Sequence, residues 1–341
     1  MDPSIFKEVT PQLPNSYSPE QVSKWLARIR LPEWLRQHVH DHQDFPRTAE
    51  SLCALMRCQI TTFPYENLSV HYSSTHLVDI HPEVLYEKLM GASNGGRGGY
   101  CMELSIFFHH MLRGLGFRVY MTGVRNRRRT DGVPGGEFRG WTHITNIVYL
   151  PSGEKFAVDA AFGGDGPTSP LPLNDSGTPI HNLGTQQVRL VHETLAKQQL
   201  ASPKVWIYQY RNGVDKEWNS FYCFAEIEFF QEDFEVMNVW GSMRTLHRWT
   251  VLVVRFLREG DSPLVAEGNG DVGTRSTVGI EVVGKVMLVN DVVKVNMGGK
   301  TEVVRKFDSE EGRVQALRDY FGIELTGDQQ LAIQGWDMAL G

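Results

Sequence analysis

Residues 95–117 read GGRGGYCMELSIFFHHMLRGLGF, a glycine-rich run that ends on one cysteine and continues as an apolar stretch. Glycine permits positive φ values and lets the backbone pass close to other groups. The apolar residues after Cys101 cover most of the circumference at helical spacing, which predicts a buried helix. The amide dipoles at a helix N-terminus favour a thiolate. The stretch predicts a nucleophilic cysteine, or alternatively a small buried cysteine of structural type.

A helical region is predicted around this stretch. Residues 1–19 are rich in Pro, Ser and Asn and are expected to be irregular. Helix starts are predicted at Ser18, which precedes a proline, at Thr48, and after Pro82. The helix that begins at Cys101 is the most apolar of the four. These elements form the first predicted domain, residues 1–117.

After this domain the sequence changes to short β-branched and aromatic runs separated by turn residues. Residues 125–139 are predicted to form a basic, glycine-rich loop, and residues 163–185 a long loop. The pattern predicts an antiparallel sheet or barrel for the second domain, residues 118–229. Its predicted strands are 118–124, 141–150, 155–161, 187–192, 205–211 and 218–224.

The third predicted domain, residues 230–341, mixes helices and strands. A short helix is predicted at 232–238, and 268–273 is expected to be a flexible connection. The remaining predicted elements are strands at 249–257, 276–283, 286–288 and 292–297 and a helix at 312–321. The fold class is therefore α+β, with a helical bundle, a β-barrel and a smaller α/β domain.

Composition excludes several classes of function. A formal net charge of −6 disfavours nucleic acid and anionic membranes as partners. There is no apolar window long enough to span a membrane and no apolar core of signal-peptide type at the N-terminus, so we predict a cytoplasmic protein. Four cysteines in such a chain are expected to be reduced, and their spacing predicts no metal site.

A base and an orienting carboxylate are predicted on one hairpin of the second domain. A three-residue turn at 151–153 places Thr145 opposite Asp159. His143 lies two residues earlier, so it shares a face with Asp159 on the diagonal, about 7 Å apart between backbones. An aspartate that holds one ring nitrogen turns the other toward a thiol. Together with Cys101, the pair predicts a Cys-His-Asp arrangement of cysteine-protease type.

Other interpretations of the same residues remain open. His143 is alternatively a hydrogen-bonded sheet histidine and Asp159 a turn residue, whereas His109 and His110 are expected to be packing or surface groups. The glycine run has no Gly-Lys-Ser or Gly-Lys-Thr ending, so a phosphate-binding loop is disfavoured. A peptide hydrolase or transglutaminase-like enzyme with the same triad, and a non-catalytic relative, are the alternative functions.

Four segments resemble motifs of the arylamine N-acetyltransferases and occur in the family's order. The similarity covers about residues 48–325. The segments are Arg97–Glu103 (RGGYCME), Phe63–Leu68 (FPYENL), Val158–Gly163 (VDAAFG) and Glu232–Asn238 (EDFEVMN), which are similar to the family's RGGxCxE, PFENL and VDxGFG motifs and to its entry into the last domain.

The resemblance implies a catalytic triad of Cys101, His143 and Asp159 in a three-domain fold of helical bundle, β-barrel and α/β lid. It implies ping-pong transfer of an acyl group from acyl-coenzyme A to arylamines, arylhydroxylamines or hydrazines, in xenobiotic detoxification. No permanently bound cofactor is implied. The co-substrate is an acyl-CoA, with acetyl as the expected acyl group and malonyl or propionyl as the alternatives. The expected partners are these small molecules, with no nucleic acid and no membrane, and the expected oligomeric state is a monomer.

The family pattern also implies roles around the nucleophile. Tyr65 and Phe162 are expected to line the acyl and acceptor pocket, and Gly140 is expected to lie where the chain of the coenzyme passes. Arg97 and Glu103 are expected to hold the loop that carries the cysteine. These roles follow from the resemblance alone.

The chain departs from the family pattern at three motif positions. Ser105 stands where Asn is frequent, which puts a polar partner of the aspartate in doubt, and Ala161 replaces a glycine. Tyr65 replaces the usual Phe and adds a hydroxyl to the pocket, which hints at an acyl group more polar than acetyl. The basic loop Arg125–Arg129 suits an acidic donor such as malonyl-CoA, the phosphates of the coenzyme, or solvent. The N-terminal arm and the chain length resemble the fungal branch, which includes malonyl users.

Overall fold

The computed structural model describes residues 15–267 and 278–341. Most of the irregular arm predicted at 1–19 and the connection predicted at 268–273 lie outside the described residues, as do the first two residues of the strand predicted at 276–283. No helix within the described ranges is long and apolar enough to cross a membrane.

The helices of the first region begin where the capping residues predict. The Ser18 hydroxyl accepts a hydrogen bond from the Gln21 N–H, and the Gln21 side-chain oxygen accepts one from the Ser18 N–H. Thr48 caps its helix in the same way with Ser51. The α-helices in the described residues are α1 (Pro19–Arg28), α2 (Ala49–Thr62), α3 (Leu68–His71), α4 (Pro82–Met90), α5 (Cys101–Gly114), α6 (Gln231–Arg244), α7 (Glu310–Ala316) and α8 (Gly327–Ala332).

The predicted middle region forms an eight-stranded antiparallel sheet with a barrel-like curvature. Its strand order is β7-β6-β5-β2-β11-β10-β9-β8, and a separate hairpin pairs β3 with β4. The strands are β2 (Arg118–Asn126), β3 (Arg128–Thr130), β4 (Val133–Gly135), β5 (Trp141–Tyr149), β6 (Lys155–Val158), β7 (Leu171–Pro172), β8 (Ile180–His181), β9 (Gln187–Glu193), β10 (Val205–Arg211) and β11 (Asn219–Phe224).

A second sheet belongs mainly to the last part of the chain. Its order is β1-β12-β13-β14-β15, and its first strand, β1, comes from the segment between α2 and α3. Tyr65 of β1 pairs with Val254 of β12 in antiparallel register. The strands are β1 (Tyr65–Glu66), β12 (Leu252–Arg258), β13 (Val282–Val289), β14 (Val292–Asn296) and β15 (Glu302–Lys306). The division at residues 117 and 229 stays a prediction.

Several predicted elements differ from the structure. The loop predicted at 125–139 contains the β3–β4 hairpin, because Asp131 and Gly132 both take positive φ and close a tight turn. Only the last two residues of the strand predicted at 276–283 belong to a strand, and 278–281 do not. These last two residues join the strand predicted at 286–288 in β13, since Gly284 continues the ladder with β12. The helix predicted at 232–238 extends to Arg244, and β15 and α8 were not predicted.

The core around α5 joins the helical region to the barrel-like sheet. From Cys101 to Leu112 every residue of α5 is buried. One continuous apolar cluster contains α5 side chains together with Ile144 and Val148 of β5 and Val254 of β12. The N-terminus of α5 therefore lies where the helical region meets both sheets.

Candidate active site

The glycine run before Cys101 passes between two backbone segments. A Cβ at Gly98 would lie 1.8 Å from the Pro64 carbonyl oxygen, and one at Gly96 would lie 1.9 Å from the Gly322 carbonyl oxygen. Gly96 also has φ of +71°, a value that favours glycine. Glycine is thus required here by packing, and the run fixes the entry of the chain into α5.

A buried ion network holds this loop. Arg97 Nε donates to Glu66 Oε1 at 2.9 Å, and Lys88 Nζ donates to Glu103 Oε1 at 2.6 Å and lies 3.3 Å from Glu66 Oε1. Glu103 Oε2 accepts from the Tyr100 N–H at 3.0 Å, next to the cysteine. Arg97 and Glu103 therefore contact the segments around the cysteine together with Glu66 and Lys88, and the roles that the resemblance implies for them stay a prediction.

The two carboxylates of this network respond to it differently. Burial raises the pKa of Glu66, but the Arg97 guanidinium and the Lys88 ammonium outweigh burial, and the pKa falls to about 2. Burial raises the pKa of Glu103, and Lys88 offsets only part of that effect. Glu66 is thus the anion that holds the Arg97 charge inside the protein.

Cys101 is the first residue of α5 and is only 3% exposed. Burial raises the pKa of its thiol above the ordinary value and the Asp159 carboxylate raises it further, whereas backbone hydrogen bonds from Met102 and from Cys101 itself lower it by less. The helix amides act in the predicted direction, but desolvation outweighs them. A thiolate at this position needs a group that takes the proton.

The hairpin of β5 and β6 brings His143 and Asp159 together. The register pairs Asn146 with Val158, so Thr145 lies opposite Asp159 as predicted. The distance from His143 Nε2 to Asp159 Oδ2 is 2.7 Å, and both side chains are buried. Asp159 Oδ1 accepts from the Ala161 N–H at 3.2 Å. Both carboxylate oxygens are thus engaged, and the Nδ1 side of the imidazole is left to face another group.

Aromatic rings enclose the imidazole. The Phe162 ring lies edge-on to His143 with 4.9 Å between centroids, and the Tyr222 ring lies 5.9 Å from His143. Burial raises the pKa of the Tyr222 hydroxyl and the nearby Asp159 carboxylate raises it further. These rings exclude water from the hydrogen bond between His143 and Asp159 and strengthen it.

Tyr65 forms a buried hydrogen bond that the sequence did not suggest. Its hydroxyl lies 2.7 Å from Nε2 of His247, which follows α6 in a short 3₁₀ helix. Burial raises the pKa of Tyr65, and negative charge on Cys101 and Asp159 raises it further. Burial lowers the pKa of His247 to about 4, and His143 is among the further causes. Tyr65 and His247 therefore lie within electrostatic reach of Cys101, Asp159 and His143.

A polar cavity of about 510 Å³ lies beside the loop that follows Asp159. Lys285 of β13 donates from Nζ to the Gly164 carbonyl, and Arg129 of β3 pairs with Asp165 at 2.8 Å. Burial lowers the pKa of Lys285, and Asp165 only partly offsets this effect. In the described part of the chain, Lys285 forms no ion pair with a carboxylate. The cavity is lined by Arg129, Gly132, Asp165, Leu183, Thr185, Gln186, Tyr210, Asn212, Lys285, Asn296, Gly298, Gly299, Lys300 and Thr301.

The family model for N-acetyltransferases matches residues 48–267, which contain Cys101, His143 and Asp159. The chain belongs to the N-acetyltransferase family. It is an acyltransferase, and its helical bundle, barrel-like sheet and smaller α/β region are those of the arylamine N-acetyltransferase fold.

Two relatives and one solved structure show how far the similarity of this chain extends. An N-malonyltransferase of Fusarium pseudograminearum (strain CS3096) is 27% identical over 96% of both chains. The arylamine N-acetyltransferase / N-hydroxyarylamine O-acetyltransferase of Salmonella typhimurium is 29% identical over 62% of this chain and 68% of its own. The arylamine N-acetyltransferase of Mycobacterium marinum in complex with CoA superposes with a TM-score of 0.67 at 21% identity, over 92% of this chain and 99% of that one.

The structure shows the surroundings of the positions at which this chain departs from the family motifs. Ala161 still donates its backbone N–H to Asp159, so replacing the glycine preserves that contact. Ser105 is fully buried, and its carbonyl oxygen accepts from Asn146 Nδ2 at 3.1 Å, whereas its hydroxyl has no hydrogen-bond partner among the described residues. Gly140 is exposed, and a Cβ there would meet no atom within 4 Å. Its role toward the coenzyme stays a prediction.

Proposed function

We propose that this enzyme moves an acyl group from an acyl-coenzyme A to the nitrogen of an arylamine, arylhydroxylamine or hydrazine through a thioester on Cys101. The observation that carries the proposal is the buried hydrogen bond between His143 and Asp159 within electrostatic reach of a buried thiol at a helix N-terminus. The arylamine acceptors are those in the names of the Salmonella and Mycobacterium enzymes.

The residues divide the proton transfers between them. Nε2 of His143 is held by Asp159, so Nδ1 takes the proton of Cys101 as the sulfur attacks the thioester carbon. The bond from that carbon to the coenzyme sulfur breaks, and the leaving thiolate takes the proton from Nδ1. The acceptor nitrogen then attacks the acyl-cysteine, His143 accepts its proton, and the Cys101 sulfur leaves. Asp159 orients the imidazole and stabilises its charged form throughout.

The lengths of the alignments support malonyl-CoA as an acyl donor besides acetyl-CoA. The N-malonyltransferase of Fusarium pseudograminearum aligns over 96% of both chains, whereas the Salmonella acetyltransferase aligns over 62% of this one. Tyr65 adds a buried hydroxyl whose pKa is raised by negative charge on Cys101, which supports a polar acyl group. We therefore propose that malonyl-CoA is used, with acetyl- and propionyl-CoA as further donors.

The polar cavity suits the phosphates of the coenzyme. Lys285 supplies a buried cation that has no carboxylate partner among the described residues, and Lys300 adds an exposed one. The Arg129 guanidinium, which already pairs with Asp165, also lines the cavity. A buried ammonium without a carboxylate partner is stabilised by an anionic ligand. We propose that these cations bind coenzyme phosphates, while Gly140 lies along the path of the pantetheine chain.

We also predict that the enzyme is monomeric and cytoplasmic and that it acts in xenobiotic metabolism.

Mass spectrometry of the intact protein tests the thioester. Incubation with acetyl-, propionyl- or malonyl-CoA is expected to add one acyl group at Cys101, and the Cys101→Ala variant is expected to gain none. The absence of an adduct with all three donors overturns the proposal. Acyl-enzyme formed from peptides or glutamine, without protection of Cys101 by coenzyme A against alkylation, would indicate a hydrolase or transamidase. Alkylation no faster than for a free thiol at neutral pH would indicate a non-catalytic relative.

A further inference from the structure

A three-residue hydrogen-bond chain ends at Tyr65 and has no part in the triad. Thr245 Oγ1 lies 3.0 Å from His247 Nδ1, and His247 Nε2 lies 2.7 Å from the Tyr65 hydroxyl. The Gly241 carbonyl oxygen lies 3.3 Å from the same Nδ1. The Thr245 hydroxyl also donates to this carbonyl oxygen. All three side chains are buried. We call Thr245, His247 and Tyr65 the relay chain.

The partners of Nδ1 allow two directions of hydrogen bonding. With the proton on Nδ1, His247 donates to the Gly241 carbonyl, and Nε2 accepts from the Tyr65 hydroxyl. With the proton on Nε2, Thr245 donates to Nδ1 and His247 donates to the Tyr65 oxygen. In that second tautomer the Tyr65 proton is free to point elsewhere. The change moves no net charge, because the imidazole stays neutral in both.

The Tyr65 ring lies against the loop that contacts the triad. A Cβ at Gly163 would lie 3.7 Å from the Tyr65 ring, and the preceding Phe162 ring packs on His143. Negative charge on Cys101 and Asp159 raises the pKa of the Tyr65 hydroxyl. Asn67 Nδ2 fixes the backbone of the 3₁₀ helix by donating to the His247 carbonyl at 3.0 Å. The relay chain thus packs on the loop whose Phe162 ring covers His143, and Asn67 holds its His247 end.

We propose that the relay chain recognises the far end of a polar acyl group, with the Tyr65 hydroxyl as the donor to a distal oxygen such as the malonyl carboxylate. A distal oxygen selects the tautomer in which His247 donates to Tyr65. An acetyl group offers no such oxygen and leaves the relay chain closed on itself. Tyr65 is the contacting residue, and His247 and Thr245 are positioning residues. This inference rests on the proposed acyl-Cys101 intermediate and names the acyl class that it carries.

Competition between acyl donors tests the relay chain. Wild type and Tyr65→Phe are given equal malonyl-CoA and acetyl-CoA, and acyl-Cys101 is quantified by mass spectrometry before the acceptor is added. A hydrogen bond to a charged group corresponds to about tenfold or more in kcat/KM. We expect Tyr65→Phe to lower the malonyl to acetyl ratio by about that factor. The acetoacetyl group is neutral and has a distal carbonyl oxygen. Tyr65→Phe is therefore expected to lower the acetoacetyl to acetyl ratio by a smaller factor.

The positioning residues have a test of their own. Thr245→Val removes the donor to Nδ1 and is expected to lower the same ratio, whereas Thr245→Ser keeps the hydroxyl and restores it. Tyr17→Phe is the matched control, because it removes another buried tyrosine hydroxyl. That hydroxyl donates to the Pro82 carbonyl at 2.8 Å and is not part of the relay chain. It is expected to leave the ratio unchanged.

The outcomes separate this inference from the proposed function. If wild type forms no acyl-Cys101 with any donor, the proposed function is wrong. If wild type is acylated and Tyr65→Phe slows malonyl-CoA and acetyl-CoA by the same factor, the relay chain is only structural and the inference is wrong. A ratio that falls in Thr245→Val and stays low in Thr245→Ser overturns the role given to the threonine hydroxyl.

Discussion

His143 and Asp159 meet across the β5–β6 hairpin, with Nε2 of the imidazole 2.7 Å from a carboxylate oxygen and both side chains buried. The two strands fix this distance, because the pairing of Asn146 with Val158 determines which residues share the face. A hydrogen bond with buried partners is strong and orients the ring. The imidazole therefore presents Nδ1 in one direction only.

The pH dependence of thiol alkylation tests whether this imidazole ionises Cys101. Burial and Asp159 raise the pKa of the thiol, so without a base Cys101 is protonated and unreactive at neutral pH. We expect wild type to react with iodoacetamide at pH 7, and His143→Gln to react only as the pH rises well above 9. Cys53 and Cys223, whose pKa values burial also raises, serve as internal controls in the peptide map. Equal rates at pH 7 in both proteins contradict the assignment.

Replacement of Glu66 by Gln is expected to destabilise the fold at neutral pH. The change leaves the Arg97 charge buried without its partner, at a cost of about 3–5 kcal/mol in the free energy of unfolding. The pKa of Glu66 falls from 4.5 to about 2 on folding, so its contribution is complete above pH 4.5 and is lost as the pH falls toward 2. Denaturant unfolding at several pH values measures both effects.

The exposed pair Glu20 and Lys24 on α1 provides the control for this experiment. Its two side chains are 2.9 Å apart but are largely solvated. Glu20→Gln is expected to change stability little at any pH, because water already satisfies both charges. If Glu66→Gln has equally little effect, the ion network is not what holds the loop before Cys101.

Gly98→Ala tests the packing of the glycine run. The new Cβ would lie 1.8 Å from the Pro64 carbonyl oxygen, so backbone must shift, and we expect a loss of about 1–3 kcal/mol together with slower acylation of Cys101. In Gly140→Ala the new Cβ has no atom within 4 Å, and the free energy of unfolding is expected to stay unchanged. Thermal unfolding and acyl-CoA titrations separate the two. A higher KM for acyl-CoA in Gly140→Ala alone supports the predicted path of the coenzyme.

Lys285→Met tests the cavity as the phosphate site. The variant keeps the length of the side chain and removes a buried charge, so KM for acyl-CoA is expected to rise about tenfold. Turnover of p-nitrophenyl acetate, an acyl donor without phosphates, is expected to stay within twofold of wild type. If both donors are affected equally, Lys285 acts on the fold through its bond to the Gly164 carbonyl and not on the coenzyme.

Local signals in the sequence predicted much of the fold. Capping residues marked α1 and α2, and the length of the turn at 151–153 determined the register that joins His143 to Asp159. These features depend on neighbours close in sequence. The two-residue strand β1 gave no signal, because its pairing with β12 joins positions far apart in the chain.

The candidate site was predicted less completely, because contacts between distant segments decide its surroundings. Glu66 lay within a quoted motif, yet its role depends on Arg97 from another loop. His247 carried no local signal, and only folding brings it to Tyr65. The ionisation of Cys101 was predicted from the helix dipole, whereas its burial decides the direction of its pKa.

The short strand β1 also has a consequence for motion. Glu66 N–H donates to the Gly99 carbonyl at 2.9 Å, Gly99 N–H donates to Pro64 at 3.2 Å, and Tyr65 pairs with Val254 of the last sheet. A continuous ladder of backbone bonds thus leads from β12 to the residues just before the thiol. These amides should exchange with deuterium in step with β12 rather than with α1, so the nucleophile opens to solvent only when the last sheet does.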